Sequence, residues 1–526
     1  MGTERFGVRF ASVTFFESLL VLLATAILLL QVARRLRLPY PSMLAAAGVA
    51  VAAVPGAPSI PIAPGTALAL FIAPILIDAA YDFPFGAARK LMVPLIVYAV
   101  IAVLVTALLV AGIGWWMVGL PFAAALALGA IVAPPDAAAA TAVLANLPVS
   151  RRIEAVLKGE SLFNDASSLL LFTAAVTIQS RGGLDGATAL RLGLAVPGGV
   201  LFGIGYGLLV RRITPLVENT AAGTLMQFLH AFATWIIAEH LHLSAVLATV
   251  ASAMTLASSV TERDSPRMRV HSFAVWTTVV FLLNVIAFLL MGMQARTIFS
   301  GMNAAELQRA GGFAGAVVAC VIVSRLVIAF VYRSYNLARY RRGKGPKPIL
   351  ASESLLVGWA GMRGLVTLAT SFALPRDFPE RDLIVLTAFA VVLATLVIQG
   401  ATLGPFIRVF GLDRKNEANA ELESARGELA AAALERLDKE PGSVADALRA
   451  TYRDMRDAAQ NNGRSHALAH RNGLATAVVL AERTRLEALR ASHAIGSDAY
   501  LALQEDLDWK QLSVTHDDGD RRIDES

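Results

Sequence analysis

Gly159-Glu160-Ser161-Leu162-Phe163-Asn164-Asp165 decides how this chain is read. It lies inside a stretch, from about Ile153 to about Ile178, that is otherwise apolar enough to cross a membrane, and the midpoint of that stretch falls close to Asp165. An acid at bilayer depth costs several kcal/mol unless it is paired, hydrated or neutralised, so it marks function by default. A second acid, a hydroxyl and an amide stand close by along the same segment. Such a group can hold either a proton or a small cation.

The rest of the chain supplies the membrane setting. Of 526 residues, 56% are hydrophobic and only 16% charged, with a mean hydropathy of +0.60. A soluble chain of this length carries more charge. The apolar residues come in runs of about the length that spans a bilayer. Thirteen spans are predicted: roughly 14–33, 40–55, 66–81, 91–117, 119–146, 153–178, 188–210, 218–239, 243–259, 272–294, 310–332, 351–374 and 382–409. Met1 to Phe10 shows no short apolar core followed by a small-residue cleavage site, so the first span is read as a retained helix. Cys320 is the only cysteine, which excludes an intrachain disulfide and a cysteine metal cluster.

Loop charge tests the count. With the N-terminus outside, the internal loops and adjoining span ends before the tail hold nineteen Lys and Arg, and the external ones six. The positive-inside rule then places the N-terminus out and the C-terminus in. The net charge of +6 is thereby a topology signal and gives no reason to expect nucleic acid. Short loops and a compact tail point to a bacterial inner membrane, with membrane lipids as the surroundings.

After about Leu412 the composition turns to Ala, Leu, Glu and Arg with helical periodicity. Residues 1–412 are read as a transmembrane domain and 413–526 as a cytoplasmic helical domain with a disordered end. Helices are expected over Ala420–Ala458 and Ser465–Gln504, with breaks at Glu440-Pro441-Gly442-Ser443 and Asn461-Asn462-Gly463. His466 and His470 are four apart on the second of these; a solvated helix face is the reading, because no third metal ligand is evident. What this tail binds is not specified by its residues.

Two spans carry helix breakers in their middles. The fifth reads Ala133-Pro134-Pro135-Asp136, and the twelfth Gly358-Trp359-Ala360-Gly361-Met362-Arg363-Gly364. Adjacent prolines remove two backbone donors, and broken backbone at membrane depth survives only where protein or a water-lined cavity receives it. Interrupted helices in corresponding positions of two halves point to a transporter site. Spans 5 and 12 fit if 1–6 and 8–13 form an inverted repeat joined by span 7. The alternative is two kinked helices with packing glycines; Asp136 and Arg363, both at the breaks, argue against it.

Gly159 to Asp165, continuing Ala166-Ser167-Ser168-Leu169-Leu170-Leu171-Phe172, resembles the membrane helix of NhaP-type sodium/proton antiporters of the first monovalent cation:proton antiporter family. Similar segments are Ala73 to Ala80, Ala238 to Ala248, Phe281 to Asn284 and Gly358 to Gly364. The likeness runs over about residues 14–410 and leaves the tail out. It implies an all-α polytopic fold of thirteen helices with two crossed, broken ones, a homodimer, no cofactor, and Na⁺ and H⁺ as transported species. It also implies that Asp165, Asn164 and Ser161 line the ion site, with Asp136 at the family's Thr-Asp-Pro position and Asp78 contributing from span three. Asp165, Asp136 and Ser161 would face the cation, and Glu160 and Arg363 would form a buried ion pair. One departure stands out: Thr-Asp-Pro reads Pro135-Asp136-Ala137 here, so a hydroxyl ligand is lost and selectivity becomes the open question.

Charge accounting gives a mechanism. Sodium takes hard oxygen ligands, and carboxylate, hydroxyl and amide oxygens qualify. Ser161 and Asp165 share a helix face. One titrating carboxylate carries one proton or one monovalent cation, and neutral Asn164 adds no second charge, so one-for-one electroneutral exchange is expected. Arg325, mid-span in an apolar stretch, requires an acid or a helix end that the sequence does not name. A K⁺/H⁺ antiporter of the same fold is the nearest alternative, since both ions use the same ligand types. More remote are a membrane sensor and an intramembrane enzyme: Ser161 lacks a Gly-x-Ser-x-Gly setting, and the tail shows no phosphate loop.

Overall fold

The structure, a computed structural model, describes residues 23–33, 40–52, 64–81, 91–144, 149–217, 221–258, 266–293, 304–344, 348–461 and 466–514, together with isolated positions 20, 35, 83, 86 and 89. All the regular secondary structure among them is helical. The chain divides into two compact units, Met1–Asp413 and Arg414–Glu525.

The first unit comprises α1 (Leu23–Ala33), α2 (Tyr40–Ala52), α3 (Leu68–Tyr81), α4 (Met92–Val118), α5 (Phe122–Val132), α6 (Ala137–Leu144), α7 (Arg151–Arg181), α8 (Gly186–Leu216), α9 (Ala221–His240), α10 (Ala245–Ala257), α11 (Pro266–Met293), α12 (Ala304–Arg341), α13 (Ala351–Trp359), α14 (Leu365–Phe372) and α15 (Arg381–Val409). Six helices among the described residues are long and apolar enough to cross a membrane, α7 and α12 included. Exposed leucines on α8, such as Leu201 and Leu209, face outward as they would toward lipid tails.

α7 organises this unit, because each of its thirds joins a different apolar cluster. Ile153, Val156 and Leu157 pack with residues of α2, α11 and α15. Leu162 and Ala166 pack with α3, α9 and α10. Phe172 and Ala175 pack with α4, α5 and α12. Its polar residues therefore sit where three cores meet. Small residues permit the close approaches elsewhere: Gly199, Gly203 and Gly207 repeat every fourth position on α8, and any Cβ there would run into the backbone or side chains of α10 around Ser244, Ala248 and Ser252.

α5 and α6 are separated by Ala133–Asp136, and α13 and α14 by Ala360–Gly364. α5 ends because Pro134 and Pro135 have no N–H to give; the last helical bond runs from Ala133 N–H to Gly129 O at 3.0 Å.

The second unit holds α16 (Lys415–Leu437), α17 (Ser443–Gln460), α18 (His466–Ala491) and α19 (Ser497–Val514). The stretch read as one helix over 465–504 is two. It breaks where His493 adopts a left-handed φ of 55°, and Val479, Leu486, Tyr500 and Leu507 close the resulting hairpin with an apolar cluster. His466 and His470 are both exposed on α18.

Candidate ion-exchange site

The break in α5 frees carbonyl oxygens that a continuous helix would have used. Their donors come from α7 and from the second break. Ser168 Oγ donates to Ala130 O at 2.8 Å. Arg363 Nε donates to Val132 O at 3.1 Å and Arg363 Nη2 to Ala133 O at 3.2 Å. Asn164 Nδ2 donates to Pro135 O at 2.8 Å. In the other direction Asp136 N–H donates to Met362 O at 2.7 Å, so the two breaks are bonded to each other.

Arg363 is 1% exposed and spends its guanidinium on backbone. Besides the α5 carbonyls it reaches Gly361 O, while its own N–H donates to Thr395 Oγ1 at 3.0 Å. A cation at the C-terminal end of α5 also offsets that helix's negative dipole end. The ion pair expected between Glu160 and Arg363 is therefore corrected. Glu160 is bound by Arg325 of α12 in a two-pronged contact, Nη1 to Oε1 and Nη2 to Oε2, the latter at 2.9 Å. The reason is reach: α12 carries Arg325 past Gly361, where the absent side chain leaves room for its Cδ and Nε.

Asp165 lies 5% exposed, five residues beyond Glu160 on α7. It makes no hydrogen bond or ion pair among the described residues, and the charged group acting on it is another acid, Asp136. Asn164 is fully buried; its Oδ1 accepts no hydrogen bond among the described residues, a hard oxygen on the residue next to Asp165 in sequence. Asp136 precedes α6, and its carboxylate lies directly over Gly364, the residue that opens α14. It is thereby held near the positive ends of two short helices. Ser161 is half-buried one turn before Asp165. Asp78 is half-buried on α3, whose Leu76 and Ile77 belong to the cluster containing Leu162 and Ala166; it stands on a neighbouring helix and outside both breaks.

A buried carboxylate with no cation beside it, an amide oxygen in reserve and a second acid nearby can take up a proton or a small cation. The sodium/hydrogen exchanger transmembrane family model matches residues 20–409. The chain belongs to the sodium/hydrogen exchanger family. Its activity class is exchange of a monovalent cation for protons. It is 26% identical over 356 residues to the Na(+)/H(+) antiporter NhaH of Halobacillus aidingensis, covering 66% of this chain and 83% of that one. It is 29% identical over 387 residues to a sodium, potassium, lithium and rubidium/H(+) antiporter of Bacillus pumilus, covering 70% of this chain and 57% of that one. The fold resembles that of the sodium proton antiporter MjNhaP1 of Methanocaldococcus jannaschii, with a TM-score of 0.56 at 17% identity over 73% of this chain and 99% of that one.

Three participants went unread in the sequence. Ser168, one turn beyond Asn164, caps a carbonyl freed by proline; its spacing was the available signal. Thr395 receives the Arg363 N–H from a distant helix, and Gly364 seats Asp136. Nothing along the chain marks those last two contacts.

Proposed function

We propose that this exchanger moves Na⁺ or Li⁺ against H⁺, one for one and without net charge, through Asp165. Asp165 carries the cation when deprotonated and crosses as a neutral acid when protonated. Asn164 Oδ1, Asp136 and Ser161 complete the oxygen shell, and Asp78 serves the access route. The carrying observation is the contrast between a buried Asp165 with no cationic partner and a Glu160 already neutralised by Arg325. With that pair set aside, Asp165 is the carboxylate that a proton or a cation loads in turn, and Asp136 supplies an additional oxygen whose charge stays the same through the cycle.

The same reading places thirteen spans in the membrane, with α5–α6 and α13–α14 crossing at their breaks, and residues 413–526 in the cytoplasm. The N-terminus is outside, the membrane is the bacterial inner membrane, and the working unit is a homodimer, as the family resemblance implies. The bonds between the two breaks support the crossing, and the loop charge supports the orientation. A wider range that includes K⁺ is favoured by the Bacillus pumilus relative, whose name covers four cations, and by the loss of the threonine hydroxyl at residue 135.

Acidified everted vesicles test this directly. Adding Na⁺, Li⁺ or K⁺ to wild type should release protons from the lumen, and Asp165→Asn should remove the response to background while the protein remains folded. Full activity in Asp165→Asn would move the site to Asp136 or Asp78 and end the one-carboxylate mechanism. Turnover that follows membrane potential, with leak excluded, would end electroneutrality.

A further inference from the structure

A second polar constellation lies away from the exchange site. A cavity of about 30 Å³ opens between the ends of α4, α7 and α12, the segment that leads into α13 and Val357 of that helix, lined by Tyr98, Arg152, Tyr332, Arg333 and Asn336, with apolar walls that include Ile153. By volume it has room for two or three waters, or for two or three oxygens of a phosphate whose remainder lies outside it. Two arginines line it, and no acid does among the described residues. Arg152 is the second residue of α7, so the positive end of a 31-residue helix dipole adds to their charge. Its inner wall carries a buried hydroxyl: Tyr98 is 2% exposed, and its hydroxyl makes no hydrogen bond among the described residues. A buried hydroxyl left unsatisfied points to a ligand or water that completes it. Tyr332 meets Tyr98 edge to face with centroids 5.6 Å apart, which fixes the ring behind that hydroxyl.

The surroundings say which source of anion fits. The end of α12 and its extension carry Arg333, Arg339, Arg341, Arg342 and Lys344, and no Asp or Glu occurs between Glu306 and Glu353. Tyr335 and Tyr340 are exposed along the same segment, the placement of aromatic residues at a membrane–water interface. Basic clusters directly beyond a transmembrane helix attract anionic lipid. Arg333 ties the two features together: its Nε donates to Ile349 O at 3.3 Å, which holds the guanidinium at the cavity rim.

We propose that this cleft binds the phosphate of an anionic phospholipid, with Arg152 and Arg333 on the phosphate oxygens and the Tyr98 hydroxyl donating from the inner wall. The polybasic end of α12 gathers the lipid. The exchange mechanism does not depend on this site.

The test uses the purified full-length protein in a neutral detergent, with unfolding followed by tryptophan fluorescence. Short-chain phosphatidylglycerol, short-chain phosphatidylcholine and inorganic phosphate are titrated at constant ionic strength. Phosphatidylglycerol should raise Tm saturably, phosphatidylcholine should not, and phosphate should fall far short. Tyr98→Phe and Arg152→Gln should each weaken the apparent affinity for phosphatidylglycerol by about tenfold, the size of one lost charge-assisted hydrogen bond, while leaving the melting temperature without lipid close to wild type. Equal stabilisation by phosphatidylcholine, or wild-type titrations in both variants, would overturn the site. Equal stabilisation by inorganic phosphate would make it a free-anion site and overturn the lipid assignment.

Discussion

Glu160 and Asp165 are two buried acids on one helix, and their surroundings are opposite. Glu160 meets a guanidinium in a two-pronged contact. Asp165 makes no hydrogen bond or ion pair among the described residues, and the charged group acting on it is another acid, Asp136. A buried carboxylate whose charge is cancelled by a fixed partner is a structural element: it holds α7 to α12. A buried carboxylate without such a partner must have its charge cancelled by something that comes and goes. The proposed exchange rests on that difference: one acid is denied a counter-ion while its neighbour is given one. Arg363, which could have supplied that counter-ion, is instead committed to carbonyl oxygens of the breaks.

Removing each acid's charge should therefore have opposite consequences. Asp165→Asn should abolish exchange with little change in melting temperature. Glu160→Gln leaves Arg325 buried and uncompensated, and should destabilise by about 3–5 kcal/mol, as should Arg325→Gln for the complementary reason. The double variant Glu160→Gln/Arg325→Gln should recover most of that loss, since neutral isosteres remove both desolvation penalties together. Thermal unfolding of the four proteins in detergent measures this. A double variant as unstable as the singles together would mean that the pair is not the coupled unit described.

The two glycines of the second break give a finer version of the same contrast. Gly361 seats the Arg325 side chain and Gly364 seats the Asp136 carboxylate. Gly361→Ala should act on the Glu160 side, costing about 1–3 kcal/mol as an overpacked core does. Gly364→Ala should act on the Asp165 side. It displaces Asp136 and should raise the half-saturating cation concentration roughly threefold to tenfold, equivalent to about 1 kcal/mol. Its melting temperature should move less than that of Gly361→Ala. If both substitutions shift stability alike and neither shifts cation affinity, the division of the break into two halves is wrong.

How much of this was legible along the chain follows from where each signal lives. Membrane character, the helical stretches and the prolines and glycines of the breaks are local properties, and they could be read directly. Family membership was legible from Gly159 to Asp165 together with Gly358 to Gly364. The partner of Glu160 was not. Arg363 and Arg325 are both arginines in apolar surroundings, and choosing between them depends on how α12 packs against α7 and on the space above Gly361. No spacing rule connects residues 165 positions apart. A positive charge in mid-membrane shows that an acid is needed, but not which one. The carbonyls left by Pro134 and Pro135 were countable from sequence, whereas their donors, Ser168 and Arg363, became assignable only in three dimensions. The division of the tail at His493 was missed because the Ala- and Leu-rich stretches on both sides were read as one run, although Ser492-His493-Ala494-Ile495-Gly496-Ser497-Asp498 between them carries turn residues.

The smallest expected effect concerns the departure from the family pattern on the Asp165 side. Pro135→Thr would restore the hydroxyl that the Thr-Asp-Pro sequence places before the aspartate. The backbone carbonyl of residue 135 is unchanged by the substitution, so the bond from Asn164 survives. The new N–H finds Ile131 O one turn back, the acceptor that proline could not use. Losing the ring's restriction of the unfolded chain should cost about 0.4–1 kcal/mol, within the range a melting curve resolves. Against that, a further hard oxygen near Asp136 should lower the half-saturating concentration for Na⁺ and Li⁺ more than for K⁺, because the smaller ions gain more from each added oxygen ligand at short range. Vesicle titrations with the three ions decide it. A uniform change across all three would show that residue 135 faces away from the cation, and selectivity would then rest on Asn164, Ser161 and the two aspartates alone.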